Sequence, residues 1–231
     1  MDQLRRGDAS EVVLTARGDK DMTCILGMID DSGDVYIGAD SQMTNCWSGK
    51  TTAHTHEKLF FVGNDILIGG AGDVRELQIL RHHLLDHIER AQHKKAQTLT
   101  QPEVFRIETD FVNAVRSCLR ENGYLKTDNG VETLPEQSQL VIGYAGKLFK
   151  MFENFMCTES VSGLVAAGTG KDYATGAAEA LRNLNDKIEC RDIIHNAVSI
   201  ASWHDASVGA PITVERLSLR APYLLVPPAQ K

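Results

Sequence analysis

Residues 22–40 read Met22-Thr23-Cys24-Ile25-Leu26-Gly27-Met28-Ile29-Asp30-Asp31-Ser32-Gly33-Asp34-Val35-Tyr36-Ile37-Gly38-Ala39-Asp40. Two β-rich apolar runs flank an Asp/Ser/Gly cluster. Such clusters turn readily, because Gly takes positive φ and Asp or Ser side chains bond to nearby backbone. The spacing therefore predicts an antiparallel hairpin. The same pattern recurs at Lys58-Leu59-Phe60-Phe61-Val62, a turn at Gly63-Asn64-Asp65, and Ile66-Leu67-Ile68. It recurs again at Leu140-Val141-Ile142-Gly143-Tyr144, a turn at Ala145-Gly146, and Leu148-Phe149-Lys150-Met151-Phe152. Short strands are expected over 164–167 and 211–217.

Between these blocks the period changes from 2 to 3.6. Val74, Leu77, Leu80, Leu84 and Ile88 share one helical stripe. A charged, Gln-rich connector is expected over 92–99. Pro102 is then read as opening a second helix, with the stripe Val104, Ile107, Phe111, Val115 and Leu119 and a stop at Asn122-Gly123. A polar loop runs to Gln137. Two later helices carry Tyr173, Ala177, Ala180, Leu181 and Leu184, then Ile193, Ile194, Ala197 and Ala201. Strand clusters alternating with helix pairs predict an α+β fold: two largely antiparallel sheets packed together, with helices outside.

Of 231 residues, 24 are Lys or Arg and 31 are Asp or Glu, a net charge of −7. An acidic chain has no broad field for phosphate backbones, so nucleic acid is not an expected partner. No apolar run approaches the roughly 20 residues that span a bilayer, so no membrane role is expected. The five cysteines are scattered, without CxxC spacing. That argues against a disulfide framework or structural zinc and for a reducing, cytoplasmic setting. Residues 1–22 are charged and lack an apolar core, so they read as a flexible leader or upstream extension and not a secretory signal. Residues 23–217 form the expected domain, and 218–231 a Pro-rich tail.

Several motifs fail on inspection. Ser48-Gly49-Lys50-Thr51 lacks the upstream glycine of a phosphate-binding loop and a following helix, and Gly168-Thr169-Gly170-Lys171 lacks both the glycine and the magnesium-holding hydroxyl. His83 and His87 have a metal-compatible spacing, but no HExxH glutamate or third ligand accompanies them; with His82 they read as a solvated helix face. His54 and His56 read likewise. No GxSxG elbow occurs. No metal or organic cofactor is implied.

Thr23 carries the remaining signal. Removal of Met22, or cleavage of a leader, would leave Thr23 as the N-terminal residue. A free N-terminal Thr holds a hydroxyl nucleophile and its own base, the α-amine, on one residue. That amine titrates near 8 in a model chain, so a modest downward shift makes it a proton acceptor at neutral pH. A nearby lysine ammonium would produce the shift, and a carboxylate would hold that lysine in place. Read alone, Thr23 is better taken as a β-branched strand residue.

In these features the chain resembles the β-type subunits of the proteasome and the peptidase subunit of the bacterial heat-shock protease, which are N-terminal-nucleophile hydrolases. The resemblance rests on motifs in order. Thr23 opens the first strand, Ile37-Gly38-Ala39-Asp40-Ser41 ends the second, and Glu57-Lys58-Leu59-Phe60 begins the next. Gly70-Ala71-Gly72-Asp73 then turns into the first helix, Gly168-Thr169-Gly170 precedes the third, and Asp205 with Gly209 and Pro211 follows the fourth. It covers about residues 23–217 and implies a four-layer αββα sandwich. It also implies a threonine-type endopeptidase in which Thr23 attacks, Lys58 paired with Asp40 tunes the amine, and the Gly72 N–H receives the oxyanion. Thr169 and Asp205 would orient the amine and a water, and Met43, Gly70 and Val74 would flank the specificity pocket. The bare Gly70 suggests a roomy one. A ring-forming homo-oligomer, a peptide or unfolded-protein substrate and an ATPase unfoldase are the implied partners.

The sequence also departs from the pattern. Met22 replaces the usual preceding Gly, and Cys24 replaces a second Thr. Val208 stands where many relatives carry a Ser, removing a hydrogen-bond partner near the amine. Two alternatives stay open: a non-catalytic ring subunit, and a small-molecule amidohydrolase on the same fold.

Overall fold

The computed structural model describes residues 23–44, 51–53, 58–184 and 188–227. The leader, His54, His56 and the side chains of the Ser48–Thr51 motif lie outside the described residues. The chain begins with strands β1 (Ile25–Ile29), β2 (Val35–Asp40), β3 (Gln42–Thr44), β4 (Thr51–Ala53), β5 (Leu59–Val62) and β6 (Ile66–Ala71). Helix α1 (Val74–Ala96), strand β7 (Glu103–Val104), a π-helical turn (Ile107–Phe111) and α2 (Val112–Glu121) follow. Next come β8 (Lys126–Asp128), β9 (Val131–Thr133), β10 (Gln139–Tyr144), β11 (Lys147–Met151), β12 (Cys157–Glu159) and β13 (Leu164–Ala167). The last elements are α3 (Lys171–Leu184), α4 (Cys190–His204), β14 (Ile212–Leu217) and β15 (Leu224–Leu225).

Two antiparallel sheets dominate, in the orders β13-β1-β2-β14 and β12-β11-β10-β6-β5. Three apolar layers bind the molecule. Leu80 and Leu84 of α1, Phe111 of the π-helical turn and Leu119 of α2 pack on Ile66, Ile68 and Ile142 of the second sheet. Ile194, Ala197 and Ala201 of α4 and Ala174 and Ala178 of α3 pack on Leu26, Met28 and Val214 of the first. Between the sheets, Ile25, Ile37 and Val35 meet Leu67, Val141 and Leu148. Helices, sheet, sheet and helices thus form a four-layer αββα sandwich, as expected. Alternation along β1 explains it: Ile25 faces the other sheet while Cys24 and Leu26 face α3 and α4.

The expected layout needs four corrections. α1 runs on through the expected connector to Ala96, with His93, Lys94 and Lys95 in its last turn, where cations complement exposed carbonyls. Pro102 opens no helix: Glu103 and Val104 pair with Leu225 and Leu224, and helical backbone begins at Ile107. The stripe from Ile107 onward is real, but Val104 is exposed. The expected polar loop holds a small hairpin of β8 and β9. The segment read as a tail folds back on the body: Leu219 N–H donates to Asp34 at 2.6 Å and Tyr223 N–H to the Tyr144 hydroxyl at 2.8 Å.

His82 and His83 are exposed, whereas His87 is buried beside Glu121 with its Nε2 3.7 Å away. Burial and the Arg90 charge push the His87 imidazole below its ordinary value, with Glu121 opposing. No cluster of potential metal ligands occurs among the described residues, and no described helix is long and apolar enough to cross a membrane. The four described cysteines, Cys24, Cys118, Cys157 and Cys190, are free thiols.

Candidate active site

The site is built where β1 begins. Asp40, the last residue of β2, points its carboxylate under that point and is 1% exposed. Its Oδ1 accepts the Cys24 N–H at 2.9 Å and the Lys58 ammonium at 2.7 Å. Its Oδ2 accepts the N–H groups of Gln42 and Gly209, each at 3.1 Å. Four donors around one carboxylate compensate its loss of water, which an unpaired buried charge could not survive. Lys58 stands just before β5 and is 8% exposed. Burial lowers its ammonium below the ordinary lysine value, and the Asp40 charge and hydrogen bond oppose that shift. A lysine so held is a fixed cation one carboxylate away from the residue that follows Thr23.

Thr23 is itself buried, at 5% exposure. Its carbonyl accepts the Gly170 N–H at 3.3 Å. Gly168 lies across it with φ +84°, and a Cβ there would stand 2.1 Å from the Thr23 oxygen. Glycine is required at 168 on both counts, conformation and space. A Cβ at Gly170 would stand 2.9 Å from both the Cys24 Cβ and a Val208 methyl. The Gly168-Thr169-Gly170 turn thus clasps the head of β1. Burial, then the Asp40 charge, push the Cys24 thiol up to about 12, so it stays protonated.

The Gly168-Thr169-Gly170 turn also bonds to the loop after α4. Asp205 caps α4, its N–H bonding to the Ala201 carbonyl at 2.9 Å. Its carboxylate accepts the backbone N–H of Ser207 at 2.9 Å and also the Ser207 hydroxyl. The Ser207 and Thr169 hydroxyls lie 2.9 Å apart. Val208 is buried among α3 and α4 residues. The hydroxyl that meets Thr169 and Asp205 is thus that of Ser207, one residue before Val208. Ser207 was not among the expected residues. Its signal was an Asp-x-Ser spacing, in which an Asp side chain captures the N–H two residues on.

Thr23, Asp40, Lys58, Thr169 and Asp205 thus come together around the head of β1, linked through Cys24, Gly170 and Ser207. Gly72 lies just past the end of β6 with φ +132°. Gly70 differs from expectation: a Cβ there would stand 2.1 Å from a Leu77 methyl of α1. Its bareness admits the helix, not a ligand, so a roomy pocket does not follow from it. Met43 on β3 and Val74 at the start of α1 are half-buried.

No family model matches the chain. Solved structures do. Eukaryotic HslV from Trypanosoma brucei matches with a TM-score of 0.61 at 21% identity, covering 85% of this chain and 99% of that one. BPH of Thiobacillus denitrificans matches with a TM-score of 0.63 at 21% identity, covering 85% and 98%. The same protein in complex with epoxomicin matches with a TM-score of 0.62 at 19% identity, covering 85% and 100%. These likenesses extend over nearly the whole of each neighbour, so the chain has the fold of HslV and BPH, a four-layer αββα sandwich.

Proposed function

We propose that the chain is a threonine-type endopeptidase of proteasome β type, acting through a Thr23 freed at its amine. What chiefly supports this is the buried Lys58–Asp40 pair, bonded through Asp40 Oδ1 to the residue after Thr23. A buried ion pair is a costly way to stabilise a core, since apolar residues of similar volume serve as well or better. A fixed ammonium near a terminal amine instead favours the neutral amine, the form that accepts a proton.

The steps follow from that arrangement. The Thr23 amine takes the hydroxyl proton as the oxygen attacks a peptide carbonyl. The tetrahedral intermediate collapses to an ester on Thr23 and releases the amine half of the substrate. The Thr23 amine then activates a water that hydrolyses the ester. Gly72 is the assigned oxyanion donor. Its place favours it: Gly72 follows β6 directly, two residues after Gly70, whose N–H bonds to the Lys58 carbonyl at 2.9 Å. Such a donor is worth about 3 kcal/mol of barrier. Thr169 and Asp205, with Ser207 between them, orient the amine and the water. Met43 and Val74, with Gly70 behind them, border the pocket for the substrate side chain.

The chain then works in a ring of its own copies, in the cytoplasm, on unfolded segments fed by an ATPase. The chemistry asks for no metal or organic cofactor. The test is hydrolysis of fluorogenic peptides by the assembled protein and by Thr23→Ala. Loss of turnover in the variant supports the proposal, and equal turnover removes Thr23 from the reaction.

A further inference from the structure

One buried carboxylate near the site has no part in the steps above. Glu76 lies in the first turn of α1 and is 1% exposed. Its Oε2 accepts the Ser138 hydroxyl at 2.6 Å, and Ser138 is likewise 1% exposed. Ser138 immediately precedes β10, whose register with β6 begins at Gln139↔Ala71. One step further, Ser138 stands against Gly72. A Cβ on Gly72 would lie 2.7 Å from the Ser138 hydroxyl oxygen and 3.0 Å from its Cα. Ser138 is also anchored through its N–H to the Pro135 carbonyl at 3.1 Å.

From this geometry we infer that Glu76 and Ser138 are positioning residues for the Gly72 peptide, an inference that rests on Gly72 being the oxyanion donor. Gly72 sits beyond the last ladder pair at positive φ, where glycine is free to rotate. An oxyanion donor works only if its direction is fixed before charge develops. The Ser138 side chain closes one face of Gly72, and Glu76 locks that side chain in place. The carboxylate suits its position, because the N-terminal end of a helix favours negative charge. Leucine at 76 would fill the same space but could not accept the hydroxyl.

The test uses Ser138→Ala, Glu76→Gln and the double variant in the assembled full-length protein. Ser138→Ala lowers kcat about 10-fold to 100-fold, while KM stays within about twofold. Glu76→Gln keeps an acceptor oxygen but loses its charge, and falls less. The double variant is no worse than Ser138→Ala, because the two act as a unit. Two inhibitors separate positioning from general damage. A peptide aldehyde forms a hemiacetal whose oxygen needs the Gly72 N–H, so its affinity falls with kcat. A peptide vinyl sulfone is attacked at carbon with no oxyanion at that place, so its labelling of Thr23 holds within about twofold. Should Ser138→Ala not assemble, Glu76→Gln carries the same comparison. Unchanged kcat and aldehyde affinity in the variants overturn the inference, and so does a parallel fall in all readouts. A wild-type protein that cleaves no peptide and takes no label on Thr23 overturns the underlying reading as well.

Discussion

Oδ1 of Asp40 lies 2.7 Å from Nζ of Lys58, with both side chains buried. The same oxygen accepts the Cys24 N–H, so one atom connects the cation to the head of β1. Asp40→Asn leaves Lys58 charged, buried and without its counter-ion. Removing one partner of a buried pair costs about 3–5 kcal/mol. The expected result is a markedly lower midpoint in urea unfolding together with loss of peptide turnover. A variant as stable as wild type would show that the pair is not a buried electrostatic unit.

Ser207 joins Asp205 to Thr169. Ser207→Ala breaks that connection while leaving Asp205, Thr169 and the fold in place. Peptide turnover is expected to fall about tenfold, below the roughly 100-fold or more of a direct acid–base group, because Ser207 acts through its neighbours. The combined Ser207→Ala, Thr169→Ala variant should be little worse than the poorer single, since both act through one chain of hydroxyls. Additive losses would mean that the two hydroxyls act separately.

Gly168 is required by both its φ of +84° and its contact with the Thr23 carbonyl. Gly168→Ala should therefore destabilise the chain by about 1–3 kcal/mol and displace Thr23, abolishing turnover. Gly176 makes the control, because a Cβ there meets nothing within 4 Å. In mid-helix, Gly176→Ala should be neutral or stabilising by a few tenths to about 1 kcal/mol. Thermal melts of the two variants check the contrast.

His87 gives a pH signature remote from the site. Its folded-state value lies below the ordinary 6.5 because of burial and Arg90. Between the folded and unfolded values the unfolded chain binds more protons, so stability rises with pH across that window. Acidification below about 6.5 should therefore weaken the fold, and the loss should end once pH passes below the folded value. His87→Gln should flatten that slope in urea midpoints measured from pH 7.5 to 5. A slope unchanged in the variant would assign it to another group.

The hairpins at 25–40, 59–68 and 140–151 were legible because period-2 runs and Gly/Asp turns fix strand pairing locally. Their stacking was legible because the helical stripes at Leu80 and Leu84, and at Ile194 and Ala197, need sheets to cover. Other features depend on partners distant in sequence. The Glu103–Val104 strand exists only because Leu224 and Leu225 return to pair with it. The contact that fills the bare face of Gly70 comes from Leu77 on α1. At the candidate site, Asp40 and Lys58 were legible by motif. Ser207 was concealed because its partner Thr169 lies 38 residues away, and its meaning depends on where the α4 cap aims it. Glu76 was concealed because it interrupts an apolar stripe with a charge whose partner lies 62 residues away.

The mature N-terminus of the peptide-cleaving assembly tests the central claim most directly. N-terminal sequencing and intact mass of the purified native particles should show a chain that begins at Thr23, carrying the free amine on which the reaction depends. Particles that hydrolyse peptides while every chain retains residues ahead of Thr23 would contradict it.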